Sequence, residues 1–188
     1  MLNTQTCLRD HFLISMPHLE DGTFAQTIIY ICDHSEYGAM GLMINRPLNF
    51  HLDKMLNHLD LPTSHIARSI PVYSGGPVQN DRGFVLHKSY LGNPWLSTHA
   101  ITDELFLTTS FDILEALALS ESTEVLITLG YTGWGPGQLE QEITDNVWLS
   151  CPANSDIMFH KPAEERLQAA AAIMGVNLNL LTTHIGHA

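Results

Sequence analysis

Apolar residues recur along the chain in short runs separated by polar turns. Nearly continuous runs rich in β-branched residues, "QTIIYICD" (26–33) and "EVLITLGY" (124–131), predict strands that are covered on both faces. The run at 26–33 and the next one, at 39–45, flank the short segment "HSEYG" and predict an antiparallel hairpin. Apolar residues spaced i, i+3, i+4 and i+7 within 51–59 predict a helix instead.

The same criteria assign secondary structure to the rest of the chain. Further strands are expected at 11–16, 71–76, 82–89, 104–109, 147–151 and 156–160. Further helices are expected at 110–119, 137–146 and 162–174. Because strands and helices do not alternate strictly, the pattern predicts an α+β domain with a large curved sheet rather than a doubly wound nucleotide-binding fold.

The length of the chain and the absence of repeats or linkers predict a single domain over residues 1–188, with a core at 11–175 and a tail at 176–188. No basic region followed by a long apolar stretch stands at the N-terminus, so no signal peptide is expected. No run approaches the roughly 20 apolar residues that span a bilayer. The three cysteines are widely separated and form no CxxC pair, which disfavours a thiolate zinc site. Cys32 and Cys151 lie in apolar strand-like runs, which indicates small buried residues in a reducing compartment. We therefore expect a cytoplasmic protein.

The formal net charge is −12, from 8 basic and 20 acidic residues. A field of this sign repels nucleic acids and anionic lipids. The chain also has no run of Lys and Arg residues. The composition therefore disfavours nucleic acids and membranes as partners and leaves a protein, a peptide or a small molecule.

The glycine-rich stretch "LGYTGWGPGQLEQEI" (129–143) raises the question of a ligand-binding loop. It lacks the lysine of a phosphate-binding P-loop and the spacing of a dinucleotide fingerprint. Glu140 and Glu142, near the start of the next helix, would oppose a bound anion. A steric interpretation is favoured, in which glycines allow main chains to approach closely and Trp134 covers an apolar surface or lines a groove. A β-branched residue at Gly135 is then expected to destabilise the fold.

Motifs for metal binding or nucleophilic catalysis are missing from the sequence. Among eleven histidines, His51 and His58 share a helix face but lie seven residues apart, too far for one ion. Neither HExxH nor GxSxG occurs, and nothing in the sequence marks Ser74 as a nucleophile. We therefore expect no metal, no cofactor and no recognisable catalytic residue.

Two arginines have distinctive sequence contexts. Arg46 lies in "INRP" at the end of a predicted strand, and Arg82 lies in "NDRGF" where the chain enters another. In an acidic protein each guanidinium can bind a carboxylate, either within the protein or on a ligand. An internal salt bridge that holds a loop is the favoured interpretation.

Several long segments together resemble the bacterial YqgE/AlgH family. They are "HFLISMP", "IIYICDHSEYGAMGLMINRP", "VYSGGPVQNDRGFVLH", "TTSFDILEAL" and "LGYTGWGPGQLEQEITDNVWLSCPA". The resemblance runs from about Phe12 to Gly175. It implies an α+β domain with a mixed, barrel-like sheet flanked by helices, and no established biochemical activity. The family name comes from a link to the regulation of alginate synthesis.

The signature positions that the resemblance implies carry no catalytic role. They are Gly41, Asn45, Arg46, Pro47, Gly75, Gly76, Pro77, Arg82, Gly83, Gly130, Trp134, Gly135, Gln138, Leu139 and Glu142. The chain departs from the family pattern at Leu167, where Trp is usual, and at His160–Lys161, where a more acidic pair is usual. These departures affect inferences about the C-terminal surface and not about the fold.

Our first hypothesis is a non-enzymatic binding or regulatory protein with a groove near the INRP, SGGP and GWGPGQ loops. The candidate groove residues are Asn45, Arg46, Gly75, Gly76, Arg82, Trp134, Gln138 and Glu142. The alternative is an enzyme of unrecognised type that uses Arg46, Arg82 and Glu142. A DNA-binding regulator, suggested by the family name, is opposed by the charge.

Overall fold

A ten-stranded mixed sheet dominates the part of the chain that the computed structural model describes, residues 7–19, 22–88 and 95–182. The strands are β1 His11–Ser15, β2 Ile28–Ser35, β3 Gly38–Met43, β4 Pro47–His51, β5 Pro71–Ser74, β6 Val78–Lys88, β7 Thr98–Ala100, β8 Leu105–Thr108, β9 Val125–Trp134 and β10 Trp148–Pro152. The main path runs β10-β1-β2-β3-β9-β6-β8-β7, with β5 paired to β9 and β4 to β5. Strands β5 and β9 are parallel and the other recorded pairs are antiparallel. The sheet curls into a half-barrel, which confirms the predicted α+β class with a mixed, curved sheet.

Helices pack on this sheet at the positions that the periodicity predicts, with two short additions. They are α1 Leu52–His58, α2 Asp112–Leu119, α3 Gln138–Thr144, α4 Ser155–Phe159, α5 Ala163–Ile173 and α6 Leu178–Thr182. Gly175 follows α5 with a φ of 71°, the left-handed conformation that ends many helices. Of the six helices in the described part of the chain, four were predicted, and α4 and α6 were not.

Strand β2 is buried on both faces, as its sequence predicts. Ile28 and Tyr30 face one apolar core, which also contains residues of α5. Ile29 and Ile31 point the opposite way and join a second core against α3. The hairpin between β2 and β3 is confirmed, because the two strands pair antiparallel from Ile29 to Ser35.

Residues 156–159 belong to helix α4 and His160 follows it in a turn, so the strand predicted at 156–160 is wrong. The side chain of Asn154 accepts a hydrogen bond from the main-chain nitrogen of Ile157 at 3.1 Å, which caps the N-terminus of α4. A short apolar run fits a strand or a buried helical turn equally well. The short strands β4 and β7 were not predicted from the sequence.

The first part of the glycine-rich stretch, 129–134, is strand rather than loop, and its last part, 138–143, belongs to α3. Strand β9 continues to Trp134 because Ala39, Met40 and Gly41 of β3 pair with residues 132–134. Main-chain crowding explains Gly130, where an added Cβ would lie 2.4 Å from the carbonyl oxygen of Gly76. It does not explain Gly135, where the nearest atom would be 3.9 Å away. The expectation of a crowded Gly135 is therefore wrong.

A buried histidine on β6, His87, takes part in a polar chain inside the apolar core. Its Nδ1 donates to the main-chain oxygen of Lys88 at 3.0 Å, and its Nε2 accepts from the hydroxyl of Thr108 at 2.8 Å. Both ring nitrogens are used by the neutral imidazole. Burial lowers the pKa of His87 below its ordinary value, although the bond to Lys88 acts in the opposite direction.

We expect His87 to make the folded state less stable in mild acid. In the unfolded chain His87 takes up a proton at about pH 6.5, whereas in the folded protein its lowered pKa keeps it neutral there. The free energy of unfolding therefore falls as the pH drops below this value. His87 changes the slope of the free energy of unfolding against pH by at most about 1.4 kcal/mol per pH unit. Urea unfolding of the wild type and His87→Gln between mild acid and neutral pH measures the difference. His99→Gln, an exposed histidine on β7, is the control. Equal slopes in all three proteins would contradict the prediction.

Candidate functional site

The candidate residues predicted to share one groove line different cavities in the described part of the chain. Asn45 and Arg46 line a cavity of about 390 Å³, Arg82 lines one of about 630 Å³, and Trp134, Gln138 and Glu142 line one of about 210 Å³. Gly75 and Gly76 line none of the five cavities compared. The structure therefore does not bring Arg46, Arg82 and Glu142 together, and it gives no support to the enzyme alternative.

Main chains of the INRP and SGGP loops nevertheless lie next to each other, and the SGGP loop also packs on strand β9 at residues 129–131, just before the GWGPGQ segment. The nitrogen of Ser74 donates to the oxygen of Arg46 at 2.8 Å, and the nitrogen of Gly75 donates to the oxygen of Leu129 at 2.8 Å. An added Cβ at Gly75 would lie 2.2 Å from the oxygen of Gly130, and one at Gly76 would lie 2.2 Å from the carbonyl group of β9 residue 131. The SGGP glycines therefore serve close strand packing.

Asn45 and Arg46 bind the main chain of the segment that enters β2. The side chain of Asn45 accepts from the nitrogen of Ile28 at 3.1 Å and donates to the oxygen of Gln26 at 2.9 Å. The guanidinium of Arg46 donates to the oxygen of Ala25 and to the hydroxyl of residue 27. No ion pair to Arg46 occurs among the residues that the structure describes, so the internal salt bridge expected for it does not form.

Three candidates, Trp134, Gln138 and Glu142, meet around a carboxylate. One oxygen of Glu142 accepts the indole N–H of Trp134 and that of Trp148, each at 2.8 Å. Its other oxygen accepts from the side-chain amide of Gln138 at 2.9 Å. The amide oxygen of Gln138 accepts in turn from the nitrogen of Gly135 at 3.0 Å. Sequence reasoning missed Trp148, which lies in the predicted strand six residues after Glu142.

The cavity beside Arg82 owes its shape to a large bulge in β6. Val78 pairs with Tyr131 and Gly83 pairs with Leu129, so residues 79–82 all lie opposite Gly130. The bulge holds three more residues than regular pairing would place there, and Gln79, Asp81 and Arg82 line one wall of the cavity. Gly130 permits this arrangement, because its φ is 76° and the main chains of residues 76, 78 and 80 surround it.

A second cavity, of about 430 Å³, continues this one along the surface between α1 and α2. The two share Met55, Phe111 and Leu114 as lining residues. Together they form what we call the α1–α2 groove. Phe111 is 76% exposed and Leu59, at the far end, is 44% exposed. Sequence reasoning assigned only Arg82 to this site, although Phe111 is an apolar residue within the polar segment "TTSFD".

The charged side chains of the groove differ in sign from the protein as a whole. Arg82 and Lys54 are the cations that line it and Asp81 is the carboxylate, while the chain carries a net charge of −12. The guanidinium of Arg82 contacts two neutral oxygens, the hydroxyl of Thr109 at 3.1 Å and the amide of Gln79 at 3.5 Å. Within the described residues it forms no ion pair, so most of its donors face solvent in the groove.

Neither a metal-binding cluster nor a membrane-spanning helix occurs among the described residues. No group of three or more His, Cys, Asp or Glu side chains in 7–19, 22–88 and 95–182 is placed to hold a metal ion. None of the described helices has the length and apolar character needed to cross a bilayer. The cytoplasmic location expected from the sequence stays a prediction, as does the weak affinity expected for nucleic acids.

Comparisons with known proteins give a consistent family. A family model described as AlgH-like matches residues 12–179. A UPF0301 protein of Pseudomonas aeruginosa strain UCBPP-PA14 is 52% identical over 190 residues, 99% of this chain and 98% of the relative. A UPF0301 protein of Nitrosococcus oceani is 48% identical over 191 residues and the full length of both chains.

Solved structures show the same fold. The solution structure of the AlgH protein from Pseudomonas aeruginosa matches with a TM-score of 0.77 and 50% identity and covers 100% of both chains. A crystal structure of a Corynebacterium diphtheriae protein matches with a TM-score of 0.71 at 18% identity, covering 93% of this chain and 91% of that one. The second likeness concerns the fold alone.

Proposed function

We propose that this chain, which belongs to the AlgH-like family, is a non-enzymatic binding protein whose α1–α2 groove takes an acidic amphipathic segment of a partner protein. One observation carries the proposal: an open apolar groove lies on the surface of a strongly acidic protein and contains Arg82, which forms no ion pair with any described residue. Such a groove supports a regulatory role, in which this protein acts on its partner by binding one of the partner's segments.

The apolar surface of the groove favours a macromolecular ligand. Phe111 extends into solvent at the N-terminus of α2, within the lining that the two cavities share, and Leu59 does so after α1. Covering one such side chain contributes about 2 kcal/mol. Large exposed apolar residues that rim a cavity are typical of protein interaction sites, whereas small-molecule sites enclose most of the ligand.

The cations of the groove favour a ligand with negative charge. Arg82 at one end and Lys54 at the other are separated by the apolar lining, so a segment with acidic residues flanking an apolar face matches both. The remainder of the acidic surface repels such a segment, which restricts binding to the groove. A neutral or basic segment would leave Arg82 without a carboxylate.

Selection of binders from a random peptide library displayed on phage tests the proposal. We expect the selected peptides to combine apolar and acidic residues. Arg82→Gln should weaken their binding about 10-fold, because a charge-assisted hydrogen bond is lost. Phe111→Ser should weaken it by about 10-fold or more, because an apolar contact at the centre of the site is removed.

Matched controls separate the groove from general effects of charge and hydrophobicity. Arg68→Gln removes an exposed arginine, and Leu119→Ser removes an apolar side chain that is 75% exposed, both outside the groove. Neither should change the affinity. Peptides whose binding responds equally to the groove variants and the controls would refute the proposal, as would selected peptides that are basic.

A further inference from the structure

A small aromatic cavity lies apart from the α1–α2 groove. It has a volume of about 210 Å³, and its walls include Phe24, Trp134 and Trp148. The rings of Trp134 and Trp148 lie 6.3 Å apart at an angle of 79°, and those of Phe24 and Trp148 lie 6.0 Å apart at 78°. A group seated in the corner between two nearly perpendicular rings lies over a face of each ring.

A fixed carboxylate forms part of the same wall. Glu142 is held by three donors, the two indole N–H groups and the amide of Gln138, at 2.8 to 2.9 Å. All three donors are neutral, and no ion pair to Glu142 occurs in the described part of the chain. Its negative charge is therefore oriented beside the cavity without a cation to balance it.

We propose that the cavity formed by Phe24, Trp134, Trp148 and Glu142 binds a methylated ammonium group, as carried by choline-like small molecules or by trimethylated lysine. Aromatic faces attract cations through the ring quadrupole, and quaternary ammonium ligands are recognised by aromatic cages of this kind. Glu142 supplies the complementary charge. The proposal does not depend on the α1–α2 groove.

The lining explains why a methylated ammonium fits better than a primary one. A primary ammonium has three N–H donors and is strongly hydrated, so it needs several acceptors when it leaves water. Glu142 already accepts three hydrogen bonds, and most of the remaining lining is apolar. A quaternary ammonium donates no hydrogen bond and presents methyl groups to the rings. Trp148 is 3% exposed and Trp134 is 7% exposed, so the two indoles of the wall are themselves shielded from water.

Tetramethylammonium chloride is the direct probe of this cavity. The chain has three tryptophans, and Trp95→Phe leaves only the two cavity indoles as fluorophores. In this background we expect a saturable fluorescence change and shifts of both indole N–H resonances in NMR spectra, with a dissociation constant in the millimolar range. Sodium chloride at equal ionic strength should cause neither change. A choline titration and a trimethyllysine peptide then show whether the source is a small molecule or a modified protein.

Two changes separate cation binding from simple filling of the cavity. Glu142→Gln keeps an acceptor for the indoles and removes the charge, and it should weaken tetramethylammonium binding at least about 10-fold. Phe24→Leu leaves the carboxylate in place and should weaken binding about 3-fold through loss of one ring. The neutral tert-butyl analogue of choline should not bind measurably. Absence of saturable binding, equal affinity of Glu142→Gln, or equal affinity for the neutral analogue would overturn the proposal.

Discussion

Gly130→Val is expected to lower the free energy of unfolding by about 3 kcal/mol or more. The φ of Gly130 is 76°, a conformation that a β-branched residue adopts only with strain. Its Cβ would also lie 2.4 Å from the oxygen of Gly76 and 3.1 Å from the oxygen of Val78, both main-chain atoms. The variant therefore has to move the bulge of residues 79–82, which forms one wall of the α1–α2 groove.

Gly135→Val is the matched control for this change. The same side chain at Gly135 meets no atom closer than 3.9 Å from its Cβ, and the residue is exposed. We expect a loss of less than about 1 kcal/mol there. Urea unfolding of both variants measures the difference. Equal losses would show that main-chain crowding is not the reason for glycine at position 130.

Arg166→Met is expected to lower the free energy of unfolding by about 3 kcal/mol, because a buried carbonyl group, that of Ile44, and a partly buried one, that of Lys161, lose their donor. Arg166 of α5 is buried, and it donates to the main-chain oxygens of Lys161 and Ile44. Its guanidinium lies 5.0 Å from the centre of the Tyr73 ring. Burial lowers the pKa of Arg166, and the neighbouring Tyr73 raises it. The single side chain thus joins α5 to the end of β3.

Arg166→Lys and Arg68→Met complete this experiment. Lysine keeps the charge but lacks the planar fork that reaches both carbonyl groups, so most of the loss should remain. Arg68 is exposed, and its replacement should change stability by less than about 0.5 kcal/mol. Thermal or urea unfolding gives all three values. An unchanged midpoint for Arg166→Met would mean that these hydrogen bonds contribute nothing to the fold.

The elements with strong local patterns were predictable from the sequence. Strand β2 has an unbroken apolar run, and its hairpin with β3 follows from a short polar connection, so both were correct. The helices at α1, α2, α3 and α5 have periodic apolar faces or clear stop signals. The strand prediction for 156–160 was wrong because the helix there depends on a cap from Asn154, which lies outside that apolar run. Local patterns carry no information about such contacts unless the cap is recognised first.

The candidate site was predictable only in part, because distant segments create it. Arg82 was named as a candidate groove residue, but the internal salt bridge favoured for it does not form within the described residues. The groove around it depends on the bulge opposite Gly130 and on the two helices beside it. Arg46 has a similar sequence context and binds main-chain and hydroxyl oxygens instead. Glu142 was named without its two indole donors, since their convergence depends on the pairing of strands. Sequence context alone does not distinguish these three environments.

A structure of the protein with a selected acidic peptide would show whether the α1–α2 groove is the binding site. We expect the peptide between α1 and α2, with an acidic side chain on the guanidinium of Arg82 and apolar side chains against Phe111 and Leu114. A peptide bound on another face, with Arg82 and Phe111 still exposed to solvent, would contradict the claim.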